Sequence, residues 1–213
     1  DPQAPCHQLA PFTCGKLTDY DTVLNFGKNC DLITIEIENV NTQALADLEK
    51  VGKKVFPQPS IIELIQDKRK QKKFFNDHDI PTAEFILVND KVEVLKNEAY
   101  LPAVNKLGRE GYDGRGVQLL RKKADLSKAF DAPGLLEKLI DFEKEISVIV
   151  SRNENGVIAA FPAVEMVFHP EANLVEYLFS PAQLKEEVSK RARQIAEHVI
   201  GSLGLIGLLA VEM

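Results

Sequence analysis

The chain has 213 residues, 45% of them hydrophobic and 27% charged, which is ordinary globular composition with room for one large domain or two or three small ones. A net charge of −6 argues against a non-specific nucleic-acid binder, because neutralising phosphates needs a basic surface. No apolar run is long enough to span a bilayer and no signal-peptide pattern is visible, so neither nucleic acid nor membrane is expected as a partner.

Residues 1–18 hold Pro2, Pro5 and Pro11, show no period and read as irregular. Cys6, Cys14 and Cys30 are odd in number and lack Cys-x-x-Cys spacing, so they read as free thiols in a reducing cytosol. Cys6 and His7 alone make a poor metal site. Residues 19–29 suit a short helix. Residues 31–37 alternate apolar and polar and run into Glu36, Glu38 and Asn39, a strand with acidic residues at its C-terminal end. Asn41 can cap the next helix, with Ala44, Leu45 and Leu48 on one face. Residues 53–56 form a short strand closed by Pro57 and Pro59. Strand, helix, strand in this order is half of a parallel α/β unit.

Ser60 with Glu63 predicts a capping box that opens a helix over residues 60–77. The middle of that helix, 67–73, is strongly basic; a solvated face accounts for most of these lysines, and one of them can look inward at an anion. Ile80, Pro81 and Thr82 break it. A strand is expected over 84–88 and a weak helix over 91–98.

Next comes an apolar run ending in Lys106, a loop with Gly111, Gly114 and Gly116, and an apolar run resuming at Val117. Most loops of this spacing are only tight hairpins. This one also carries Tyr112, Asp113 and Arg115, more chemistry than a turn needs. It is neither a Walker loop, since no Gly-Lys-Ser/Thr follows, nor a dinucleotide fingerprint, since a strand pattern follows it instead of a helix. Glycine backbone can turn several N–H groups toward one anion, and Lys106 adds a point charge, so the loop reads as a phosphate clamp. Beyond it, residues 124–130 suit a short helix, 134–140 a strand, 144–150 a strand, 153–156 a turn, 157–167 and 173–179 two further strands. Residues 184–203 form an amphipathic helix with Leu184, Val188, Ala192, Ile195, Val199 and Leu203 facing one way. Gly204 and Gly207 close it, and a strand runs over 208–213.

The lysine, the glycine hairpin, the strand leading from Leu135 through Ile140 to Glu145, and the strand ending in Ala210, Val211 and Glu212 together resemble the ATP-grasp superfamily. Residues 111–116 look like the signature loop of the 5-(carboxyamino)imidazole ribonucleotide synthase family. Residues 34–40 look like its Glu-Asn strand end, and Gln66-Asp67-Lys68 stands where that family has Gln-Asp-Arg or Gln-Asp-Lys. Residues 145–148 and 209–212 match further blocks, so the resemblance covers nearly the whole chain. It implies an α/β and α+β chain of ATP-grasp fold with a partial Rossmann-like N-terminal domain. The division implied is a pre-ATP-grasp part with linking helix over 1–80, a central lid over 81–142 and the start of a C-terminal subdomain over 143–213.

The resemblance also implies roles. Lys68 and Lys106 would bind ATP phosphates, with Gly111, Tyr112, Asp113, Gly114, Arg115, Gly116 and Val117 closing over them. Glu137, Lys138, Leu139 and Ile140 would hold adenine by backbone groups, and Glu145 would accept the ribose hydroxyls. His169, or its neighbour Phe168, would face ATP. Glu212 would be the first of two carboxylates on Mg²⁺. Tyr112, Asp113 and Arg115 would face bicarbonate and 5-aminoimidazole ribonucleotide. The reaction implied is carboxylation of that ribonucleotide through carboxyphosphate, in the cytoplasm, by a homodimer.

Glu110 and Val117 depart from the family's loop, where glycine and glutamine are usual. The family's opening Gly-Gly-Gly-Gln-Leu-Gly turn and the strand supplying its second metal carboxylate are not in these residues. The chain therefore reads as a fragment expected not to catalyse by itself. Two other readings stay open: a different ATP-grasp ligase or formate-using transformylase, and a non-catalytic nucleotide-binding module.

Overall fold

The computed structural model describes residues 3–109, 111, 116–168 and 175–213, apart from the side chain of Cys6. The chain divides into two compact units, 1–63 and 64–213.

In the first unit a 3-10 helix, Pro5–Gln8, precedes α1 (Tyr20–Gly27). Asp19 caps α1 by accepting from the Thr22 N–H at 2.8 Å. Strand β1 (Leu32–Thr34), helix α2 (Thr42–Lys50) and strand β2 (Lys54–Phe56) follow, and β1 pairs with β2 in parallel. The Asn41 side chain caps α2 as expected, accepting from the Ala44 N–H at 2.9 Å and donating to the Thr18 carbonyl at 3.1 Å. Ala44, Leu45 and Leu48 fill the core with Ile33, Val40 and Val55. The predicted strand over 31–37 is shorter: it stops at Thr34, Glu36 and Glu38 lie in exposed bends beyond it, and Asn39 is exposed after them. Cys14 is exposed, Cys30 is half-buried, and both are free thiols.

The single helix expected over 60–77 is two helices, α3 (Pro59–Ile65) and α4 (Lys68–Asp77). Pro59 is the first helical residue, where its missing N–H costs nothing, so Ser60 lies inside the helix and not at the cap. Asp67 makes the break. Its carboxylate caps α4 by accepting from the Arg69 N–H at 3.0 Å and takes the Arg109 Nε at 3.2 Å.

The second unit then builds β3 (Phe85–Val88), α5 (Lys91–Lys96), β4 (Ala103–Leu107), β5 (Val117–Leu120), β6 (Gly134–Lys138), β7 (Glu145–Arg152), β8 (Ile158–Ala160), β9 (Val164–Phe168), β10 (Val175–Phe179), α6 (Glu186–Leu203) and β11 (Gly207–Glu212). Strands β3, β6, β4 and β5 form one antiparallel sheet in that order. One face of it packs Ala103, Leu120 and Leu136 with Val94 of α5, and the period of two leaves Lys106, Leu135 and Glu137 on the other face. The second sheet runs β10, β9, β7, β11, with β8 paired to β7.

Three sequence expectations need correction here. The short helix over 124–130 is a 3-10 turn, Lys123–Lys128, because Asp125 ties back to the Arg121 and Lys122 N–H groups at 3.1 and 3.2 Å. The strand over 157–167 is two strands separated at Phe161, Pro162 and Ala163, since proline has no N–H to give a ladder. On α6 the buried residues are Ala192, Ala196, Val199 and Ile200, whereas Val188 is 46% exposed; the packed stripe is turned away from the expected one in the first turns. Gly204 ends α6 in the left-handed conformation, φ +60°. Among the described residues, no helix is long and apolar enough to cross a membrane.

Candidate nucleotide cleft

Within the second unit a cleft of about 560 Å³ opens between α4, the exposed face of the β3–β6–β4–β5 sheet, and the ends of β7 and β11. Its position follows from local sequence. Residues four apart share a helix face, so α4 turns Lys68, Gln71, Lys72 and Phe75 into the cleft while Lys70 and Lys73 stay exposed. The strand period brings Lys106 of β4 and Glu137 of β6 onto the facing sheet surface.

The centre of the cleft is an ion triad. The two oxygens of Glu137 each take one lysine: Oε1 lies 3.1 Å from Lys72 Nζ and Oε2 accepts from Lys106 Nζ at 2.9 Å. Lys72 is buried, 9% exposed, and also donates to the Thr82 hydroxyl, with its ammonium 5.9 Å from the centre of the Phe85 ring. Burial pushes the Lys72 ammonium below its ordinary value, and the charge of Glu137 opposes that shift. Lys106 has the more accessible side chain, 28% against 11% for Lys72.

Two carboxylates stand across from Lys106. The Glu145 carboxyl is pushed above its ordinary value, first by burial and then by the charge of Glu212, while Lys106 pulls it down. Glu212 is exposed, so burial supplies no argument for a metal there. Among the described residues, no group of three or more metal-ligating side chains assembles. Lys144 fixes the start of β7 by donating to both oxygens of Glu165, at 3.0 and 2.9 Å.

The glycine hairpin is closed by specific contacts. The Leu107 N–H donates to the Gly116 carbonyl at 2.9 Å, and Gly116 has φ +73°. A Cβ on Gly116 would sit 2.9 Å from the Gly111 Cα, so both conformation and space demand glycine. Lys68 ties α4 to this hairpin: its amine donates to the Gly111 carbonyl at 3.0 Å and its N–H to the Gly108 carbonyl at 2.8 Å. Tyr112, Asp113, Gly114, Arg115, Glu110 and His169 lie outside the described residues.

Of the residues named from sequence, Lys68, Lys106, Glu137, Ile140, Glu145 and Glu212 line the cleft. Lys138 and Leu139 do not. The Lys138 amine goes to the Tyr100 carbonyl at 2.9 Å, and the two backbone N–H groups bond the Glu84 and Pro102 carbonyls at 2.8 and 3.3 Å. Sequence reasoning missed Lys72 and the side chain of Glu137. The available signal was the i, i+4 spacing of Lys68 and Lys72 within the basic helix.

The chain is similar in sequence and fold to known proteins. The ATP-grasp domain model matches residues 73–213, and the ribonucleotide synthetase preATP-grasp domain model matches residues 1–66. An N5-carboxyaminoimidazole ribonucleotide synthase from Synechococcus elongatus is 32% identical over 203 residues, covering 92% of this chain and 51% of the relative. The crystal structure of N5-carboxyaminoimidazole ribonucleotide synthetase from Thermotoga maritima superposes with a TM-score of 0.84 at 32% identity, over 100% of this chain and 56% of that one. The Staphylococcus aureus N5-carboxyaminoimidazole synthetase complexed with ADP gives a TM-score of 0.89 at 27% identity, over 100% of this chain and 57% of that one. The chain spans about half the length of the N5-carboxyaminoimidazole ribonucleotide synthases it matches, 51% and 56%. By these matches the chain belongs to the ATP-grasp family and carries a ribonucleotide synthetase preATP-grasp segment ahead of its ATP-grasp domain.

Proposed function

We propose that this chain is the nucleotide-binding part of an ATP-dependent ligase that carboxylates 5-aminoimidazole ribonucleotide with bicarbonate in purine biosynthesis. The observation that carries the reading is the cleft in which Lys68 and Lys106 face Glu145 and Glu212 across an apolar floor. Each part suits one part of a nucleoside triphosphate. Phosphates need cationic donors that are already positioned, which Lys106 on a strand and Lys68 on a capped helix provide. A ribose diol needs an acceptor-rich group, which Glu145 supplies. An adenine ring needs apolar walls, such as Ile140, Phe142 and Met166.

Mg²⁺ belongs to the same reading. The carboxylate of Glu212, at the end of β11 on the lining of the cleft, is a hard oxygen ligand of the kind that suits a divalent cation beside phosphates. When bound it would neutralise phosphate charge. Glu212 is the residue of this chain that would hold it.

The loop 111–117 would exclude water from an acyl phosphate, with Tyr112, Asp113 and Arg115 toward bicarbonate and the ribonucleotide and His169 toward ATP. The backbone around Glu137, Lys138, Leu139 and Ile140 would hold adenine through groups other than the two N–H donors already engaged. A lid over 81–142, a C-terminal subdomain beginning at 143, a homodimer and a cytoplasmic location complete the proposal. The test is ADP release by the full-length protein with ATP and 5-aminoimidazole ribonucleotide. Release that requires bicarbonate is expected; release that requires formate instead, or no release with any of these substrates, overturns it.

A further inference from the structure

Lys106, more accessible than Lys72, is already bonded to a carboxylate. A lysine held by Glu137 is a poor phosphate ligand unless Glu137 can give it up. Glu137 has two oxygens and two lysines, one on each. The two lysines differ in what they can do. Lys72 is buried and anchored three ways, by Glu137, by the Thr82 hydroxyl and by the face of Phe85, and its helix α4 is capped one turn earlier by Asp67. Among the described residues, the Lys106 amine is bonded to Glu137 alone, and its side chain is the more accessible of the two.

We infer that Lys72 is a positioning residue: it is the permanent counter-ion of Glu137, so that Lys106 can leave Glu137 for an anionic ligand without stranding a buried carboxylate. The inference rests on the nucleotide-binding reading of the cleft and goes beyond it by assigning Lys72 and the Glu137 side chain. Glu137 parks the Lys106 amine beside the cleft when no anion is there. Lys72 remains when Lys106 moves. An ionised carboxylate with its only cation withdrawn would be strongly disfavoured at 12% exposure, so a lone Glu137–Lys106 pair would hold its lysine against a phosphate. The mutual dependence runs both ways, because the charge of Glu137 is what opposes the loss of the Lys72 proton on burial.

ADP titration calorimetry on the full-length protein tests this with K72M, K72R, E137Q and the K72M/E137Q double variant. K72M is expected to weaken ADP binding about tenfold or more, since Lys106 becomes the sole partner of Glu137. K72R is expected to stay within about threefold of wild type, because the cation is kept. The double variant is expected to return to within about threefold, because no carboxylate remains to compete for Lys106. A merely structural Lys72 would give no such rescue. If K72M does not fold, E137Q decides: it keeps both lysines and is expected to bind ADP at least as tightly as wild type. K72M binding like wild type, a double variant as weak as K72M, or E137Q binding more weakly than wild type each overturn the inference while leaving the nucleotide reading intact. A wild-type protein that binds no ADP overturns both.

Discussion

Lys106 and Glu137 are diagonal neighbours on adjacent antiparallel strands: Lys106 is paired with Leu135 and Glu137 with Val104, and their side chains meet at 2.9 Å on the sheet face that lines the cleft. The contact exists because both residues lie on the same side of the pleat and two positions apart in register, with the Asn105–Leu136 pair between them on the opposite face. A one-residue slip of β6 would send Glu137 into the core beside Val94 and leave Lys106 without its carboxylate. Gly134 guards that register. A Cβ there would overlap the Lys106 carbonyl oxygen, so only glycine lets β6 approach β4 at this point.

Replacing Lys106 by Met should separate binding from stability. Glu137 keeps Lys72 in that variant, so no buried carboxylate is stranded and the thermal midpoint should fall less than in K72M. ATP affinity should drop by about tenfold or more, the scale of one lost charged contact. Calorimetric titration and thermal unfolding of both variants check this; a K106M midpoint lower than that of K72M counts against it.

Glu145 should make stability depend on pH with a definite sign. Its carboxyl is held above the ordinary 4.5 by burial and by Glu212. The folded state then binds more protons than the unfolded state between 4.5 and the raised value, so stability falls as pH rises through that window. E145Q removes the ionising group. Its midpoint relative to wild type should therefore rise with pH across the acid range and level off above it, while its ATP affinity falls, the trade expected of a functional carboxylate. A difference that is flat with pH would refute the assignment.

Substituting Gly116 with Ala should cost about 1–3 kcal/mol, the range for a side chain forced to positive φ. The hairpin must also open to admit a Cβ beside the Gly111 Cα. Urea unfolding measures the first effect, and a matching loss of ATP affinity would show that the hairpin base positions the loop. An unchanged midpoint would mean that the 111–116 contact is not held in solution.

Asn105 is buried at 1% exposure on the core face of β4, and both ends of its amide are used. Its Nδ2 donates to the Leu135 carbonyl at 3.2 Å and its Oδ1 accepts from the Phe130 N–H at 2.9 Å. N105A leaves the half-buried Phe130 N–H without its acceptor and should cost about 1–3 kcal/mol by urea unfolding. Because the residue faces away from the cleft, ADP affinity of the folded variant should be unchanged.

The sequence by itself determined most of the elements and the family. Periodicity located α1, α2, β4, β5 and α6; Asn41 announced its own cap; and Ile80-Pro81 ended the basic helix, because these signals act between residues a few positions apart. Lysine, glycine loop and carboxylates in chain order were enough to name ATP-grasp. Tertiary structure decided the rest. Asp67 could be read as one more charge in a basic run until Arg109, 42 residues later, came to lie against it. Of the lysines on α4, burial selected Lys72, and that depends on Phe85 and Glu137 arriving from two other strands. Glu137 was legible only as a backbone contributor, since its partner Lys106 is 31 residues away and the contact is made by strand register. Local pattern specifies which face of an element is apolar; which charged groups meet across that face is settled only when the strands pair.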